Sequence, residues 1–167
     1  MKIRLATTED APAISRLVYS LSANYIANQF SEEGTRNLLG SMEPSAIEGY
    51  LKSGFRYHLA EDDGVLVGVV GTRDNTHLYH LFVAESHQRR GLAKELWRVA
   101  REACTVAGNL GEFTVNSSSF ALPFYTKLGF VEIGSQENRR RVISIPMRWS
   151  GKEPNFSLQG TLLSSRP

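Results

Sequence analysis

The sequence predicts an α+β fold built on a mixed, largely antiparallel sheet of about six to seven strands with helices packed against it. Three observations carry this reading. Over the first fifty positions apolar residues recur at helical spacing behind capping residues. From Phe55 the period shortens to that of strands, with Asp62-Asp63-Gly64 as a hairpin turn. From Gly91 onward helix and strand alternate again.

In chain order, Lys2 to Ala6 alternates polar and apolar residues and reads as a first strand. Thr7 or Thr8 can cap a helix whose first turn carries Glu9 and Asp10, with Ile14, Leu17, Val18 and Leu21 at its apolar positions. Ser31, Glu32 and Glu33 open a second helical piece that Gly40 ends, and Ser45 to Leu51 supplies another turn or two. The runs Tyr57–Ala60, Val65–Val70 and His77–Val83 form a three-stranded antiparallel meander, with Asp74-Asn75 as its second turn. Gly91 to Ala107 is an amphipathic helix, with Leu92, Leu96, Val99 and Ala103 inside and Lys94, Glu95, Arg98, Arg101 and Glu102 outside. Phe113–Val115 is a short strand and Phe120–Leu128 a short helix that Gly129 stops. Phe130-Val131 and Arg141–Met147 complete the sheet. Residues 1–149 read as one domain, and 150–167, rich in Ser, Gly and Pro, as a C-terminal tail.

Composition narrows the function classes. Nineteen Lys and Arg against 17 Asp and Glu give a net charge of +2, too even for a nucleic-acid or anionic-membrane partner. The single cysteine, Cys104, falls within the helical pattern and reads as a small buried side chain. One Cys and four scattered His offer no metal-ligand spacing. The N-terminus has no signal-peptide pattern and no run approaches a membrane span, so the expectation is a cytoplasmic protein.

Chemistry concentrates where a strand, Leu81-Phe82-Val83, runs through a basic loop into a helix opening on small residues: Gln88-Arg89-Arg90-Gly91-Leu92-Ala93-Lys94. A helix start leaves several backbone N–H groups unpaired and partially positive, which suits a phosphate. Gly91 and Ala93 let an anion approach the backbone, and Arg89, Arg90 and Lys94 add charge. Downstream stand Asn116 and the run Phe124-Tyr125-Thr126-Lys127-Leu128-Gly129-Phe130.

Together these segments resemble the GNAT superfamily of N-acetyltransferases. Gln88-x-x-Gly91-x-Ala93 matches the family's Arg/Gln-x-x-Gly-x-Gly/Ala pattern, and Phe124-Tyr125-x-Lys127-x-Gly129-Phe130 matches its later motif. The order of elements fits from Lys2 to about Arg148. The resemblance implies the acyl-CoA N-acyltransferase fold, with helices on both faces of a sheet splayed between Val83 and Asn116. It also implies acetyl-CoA as acyl donor, with Gln88 to Lys94 around the pyrophosphate. Leu81, Phe82 and Val83 would pair with the pantetheine arm as an added strand does. Asn116 would meet the cofactor at the splay and Tyr125 would lie near the thioester sulfur. Glu85 departs from the family, standing where many members have proline.

The implied reaction moves an acetyl group onto a primary amine of a small molecule. A protein or peptide amine, or a non-catalytic acyl-CoA sensor, is the alternative. Monomer and homodimer both remain open. An amine of pKa ~10.4 is protonated at neutral pH, so something must take its proton. His77 is the candidate base, with ordered water as the alternative and Glu33 as a weaker choice. Tyr125 suits protonation of the departing thiolate. With no bulge in the strand, His77 would share a face with Tyr79 and Leu81, and His80 would point the other way.

Overall fold

The computed structural model describes residues 1–151; the tail assigned from the sequence lies, beyond Gly151, outside the described residues. Among the described residues there are eight strands: β1 (Lys2–Leu5), β2 (Arg56–Asp62), β3 (Val65–Arg73), β4 (His77–Val83), β5 (Thr114–Ser117), β6 (Phe130–Glu132), β7 (Glu137–Arg139) and β8 (Val142–Trp149). Five α-helices accompany them: α1 (Ala11–Tyr25), α2 (Glu32–Gly40), α3 (Pro44–Lys52), α4 (Leu92–Val106) and α5 (Leu122–Lys127). None of the described helices is long and apolar enough to cross a membrane.

Strand order is β1-β2-β3-β4-β5-β8-β6, with β7 paired to β8. All neighbours are antiparallel except β4 and β5, whose parallel ladder covers only His77↔Thr114 and Leu78↔Val115. Beyond that pair the two strands separate, so the β5-facing edge of β4 has no strand partner from Tyr79 to Val83. The sequence expectation of a splayed mixed sheet holds. The short strand β7 is additional, because three polar residues carry no strand periodicity.

Each face of the sheet has its own core. Under α4 and α5 lie Val67, Leu78, Leu81, Val83, Leu92, Leu96, Trp97, Phe113, Tyr125 and Met147 among others. Under α1 and α3 lie Ile14, Val18, Ile47, Tyr57, Leu59 and Val69. The local causes are ordinary. Ser31 caps α2 by accepting from Gly34 N–H at 3.2 Å, and Pro sits in the first turn of both α1 and α3. Arg4 ties β1 to the start of α1 and to β2 through Asp10 (2.8 Å) and Glu61 (2.7 Å).

Two details correct the sequence reading. The buried stripe of α4 is Leu92, Leu96, Trp97, Ala100 and Cys104, while Val99 and Ala103 sit half-buried beside it. Trp97 turns the helix by packing edge-on to Phe113 (5.0 Å between centroids) and Trp149 (6.1 Å). Cys104 is buried as expected, 3.6 Å from the Thr72 hydroxyl. The second correction is a β-bulge in β4: Gly71 pairs with His80 but Thr72 pairs with Leu78, leaving Tyr79 as the extra residue.

Candidate active site

The site grows from the free edge of β4 and the loop that follows it. Ala84 N–H bonds to Val67 O at 2.8 Å, fixing the strand end against β3. A single 3-10 turn, Glu85–His87, comes next. Gln88 folds back, its side-chain amide donating to Val83 O at 3.0 Å. His87 Nε2 lies 3.1 Å from an Asp62 carboxylate oxygen, which fastens the turn to β2. Arg89 and Gly91 then take left-handed conformations, at φ +58 and φ +82, which swing the chain into α4. Gly91 is the N-cap, and nothing lies within 4 Å of where its Cβ would be.

The α4 ladder opens with Glu95 N–H to Gly91 O at 3.0 Å, so the amides of Leu92, Ala93 and Lys94 precede its first rung. Arg89, Arg90 and Lys94 are exposed around them, and Leu92 is buried in the core. Leu81 and Val83 turn into the core under α4, and Phe82 packs on the opposite face. The backbone of all three pairs with β3 on one side only.

Asn116 is exposed on β5, one residue beyond its last pair with β4 and opposite Pro146 of β8. Tyr125 is 8% exposed, its ring edge-on to Phe124 (5.3 Å) and Phe130 (5.7 Å). Its hydroxyl makes no hydrogen bond among the described residues. Burial holds this phenol above its ordinary value, so it stays protonated at neutral pH.

The bulge rearranges the histidines. Leu78, Leu81 and Val83 all face α4, whereas Tyr79 packs against Tyr50 (5.1 Å) and His80 against Tyr57. His77, one residue before Leu78, turns to the α1/α3 side as well. His80 therefore shares the face of His77, and Leu81 does not; the unbulged pleat predicts the reverse. His77 Nδ1 lies 2.8 Å from Thr114 Oγ1, and burial, aided by the charges of Arg73 and Arg139, pushes the ring down to about 4. His80 Nδ1 lies 2.9 Å from the Tyr57 hydroxyl and burial pushes it down to about 3. Both are neutral at pH 7.

Glu85, the family departure, is exposed and accepts a hydrogen bond from the Tyr25 hydroxyl at 2.8 Å. Tyr25 in turn stacks on Phe120 at 5.5 Å. A clasp thus joins the end of α1, the loop after β4 and the loop after β5; residues so distant in sequence give no signal of it. Glu33 is exposed and pairs with Arg141 at 3.5 Å. Two open surface concavities, of about 350 and 400 Å³, lie instead around Thr8, Leu51 and Gly54 and around Pro12, Pro44 and Glu48, and include none of the motif residues.

A family model described as an acetyltransferase (GNAT) domain matches residues 26–150, which is well over half the chain. The chain belongs to the GNAT acetyltransferase family. No curated protein matches the sequence. Solved GNAT structures share its fold at low identity. A GCN5-related N-acetyltransferase from Rhodopseudomonas palustris is 21% identical with TM-score 0.76, over 89% of this chain and 94% of that one. PaiA N-acetyltransferase from Thermoplasma acidophilum, solved with coenzyme A, is 17% identical with TM-score 0.71, over 89% and 99%. An aminoglycoside 6'-N-acetyltransferase, also complexed with coenzyme A, is 15% identical with TM-score 0.63, over 89% and 96%.

Proposed function

We propose that this GNAT domain transfers the acetyl group of acetyl-CoA to a primary amine of a small molecule. One observation carries the reading: the unpaired edge of β4 leads directly into an open, glycine-capped helix start flanked by Arg89, Arg90 and Lys94. The edge offers Leu81, Phe82 and Val83 backbone groups to the amides of a pantetheine arm, and the helix start offers N–H groups to a pyrophosphate. Two solved relatives of the same fold hold coenzyme A, which supports that use of the cleft.

In this reading the neutral amine attacks the thioester carbonyl, the carbon–sulfur bond breaks, the thiolate takes a proton from Tyr125, and the proton shed by the acylated nitrogen returns to Tyr125 through water. The ammonium proton must leave first. His77, neutral at pH 7, is the side chain assigned to accept it, directly or through water. Its low affinity for protons makes it a weak base, which favours a relay by water over lasting capture.

The test is thiol release from acetyl-CoA across a panel of amines that includes alkylamines, polyamines and lysine peptides. Small amines should release thiol, and the protein should lose that activity on Gly91→Val, which sets a branched side chain beside the helix-start amides at a φ of +82 that valine disfavours. Release with lysine peptides alone would move the acceptor to protein; no release with any amine would remove the enzymatic reading.

A further inference from the structure

Arg139, Arg140 and Arg141 stand together at the tip of the β7–β8 hairpin. Both turn residues are left-handed, Arg140 at φ +51 and Arg141 at φ +64. A two-residue turn of this geometry is ordinarily Asn-Gly or Asp-Gly, and other side chains cost ~1–2 kcal/mol per left-handed residue. Surrounding contacts hold the strain. Asn37 of α2 donates to Arg140 O at 2.8 Å. Gly34 brings α2 so close that a Cβ there would lie 2.3 Å from Arg141 O. Strain kept in this way points to side chains retained for what they bind.

To reach this turn β8 runs past its last pair with β5, Ser117↔Ile145, so the hairpin lies beyond the end of β5, on the side where β4 and β5 part. Arg73 pairs across the strands with His77, and the charges of Arg73 and Arg139 both lower the proton affinity of its ring. Carboxylates partly offset this charge: Glu137 lies 3.0 Å from Arg139, Glu33 3.5 Å from Arg141 and Asp74 3.4 Å from Arg73. These pairs are exposed, and such pairs are worth roughly 0–1 kcal/mol, so a bidentate anion can displace them. Arg140 has no ion-pair partner among the described residues.

We infer that the arginine tip reads an anionic group on the acceptor, so that the amine acetylated here also carries a carboxylate or a phosphate. The inference rests on the acyl-transfer reading. It sets this chain apart from acceptors that are polycations, whose charges the tip would repel.

The experiment titrates protein loaded with coenzyme A, by calorimetry, with four-to-six-carbon amines of matched length ending in carboxylate, phosphonate, methyl or a second amine. Coenzyme A binding itself is measured first; its failure would sink the acyl-transfer reading rather than this one. The anionic amines should bind more tightly than the alkylamines and diamines. Arg139→Gln combined with Arg140→Gln should weaken them about tenfold and leave the alkylamine unchanged. Arg140→Lys should restore part of the loss, and Arg98→Gln, an exposed α4 arginine paired with Glu95, should do nothing. Tighter binding of carboxylate or of phosphonate assigns the anion. A diamine that binds as well as the amino acid, an equal loss for all four, or no binding by either anionic amine would overturn the proposal.

Discussion

Tyr125 and His77 are placed in opposite ways by burial. Desolvation disfavours the charged form of each, so the phenol keeps its proton and the imidazole gives its proton up. Tyr125→Phe removes a proton donor and little volume. We expect coenzyme A affinity to persist while turnover falls about 10²–10⁴-fold, read from kcat against binding in the same variant. For His77 the sign of the pH effect follows from linkage. Unfolded, the ring binds a proton near 6.5; folded, only near about 4. Between those values the unfolded state holds more protons, so the His77 contribution to folding stability falls as pH drops from 6.5 to 4 and levels off below. Denaturant titrations should show that slope, to which His80 and His58, also held below their ordinary value by burial, add in the same direction, so His77→Gln should make it shallower without abolishing it. Asp10, held at about 2 by Arg4, loses its contribution at lower pH, below its ordinary 3.8, and so does not blur the window. Activity should show no limb near 6.5; such a limb, lost in His77→Gln, would mean that the ring is far more solvated than its contact with Thr114 allows.

Among the elements, the helix start at Gly91 and the strand before it were legible from residues alone, because an apolar run and then a glycine ahead of a helical period fall in one window of sequence. The bulge at Tyr79 was not. His77–Val83 reads as an unbroken apolar run, and the extra residue shows only in its pairing with β3. That single residue put His80 on the face of His77 and removed Leu81 from it. The contact of α2 with the β7–β8 hairpin was equally silent, since it joins residues about a hundred apart, the Asn37 side-chain amide donating to a backbone carbonyl. It makes its own prediction. Gly34→Ala should force α2 off the turn at Arg141 and cost ~1–3 kcal/mol, seen as a lower melting temperature. Gly49, with nothing within 4 Å of its Cβ position, should accept alanine without loss.

At the scale of the whole molecule, local period and turn chemistry were enough for the class of fold. The meander announced itself through Asp62-Asp63-Gly64 and Asp74-Asn75, and the amphipathic α4 through its alternating faces. The sheet's parting between β4 and β5 was expected only through the family likeness, because no residue pattern states that a parallel ladder stops after two pairs. That parting is the proposed seat of the cofactor, and backbone amide chemical shifts on adding coenzyme A report on it residue by residue. The largest changes should fall on Leu81, Phe82 and Val83, on Gly91 to Lys94 and on Asn116. Changes centred instead on the concavity around Thr8, Leu51 and Gly54, or spread evenly over the chain, would contradict it.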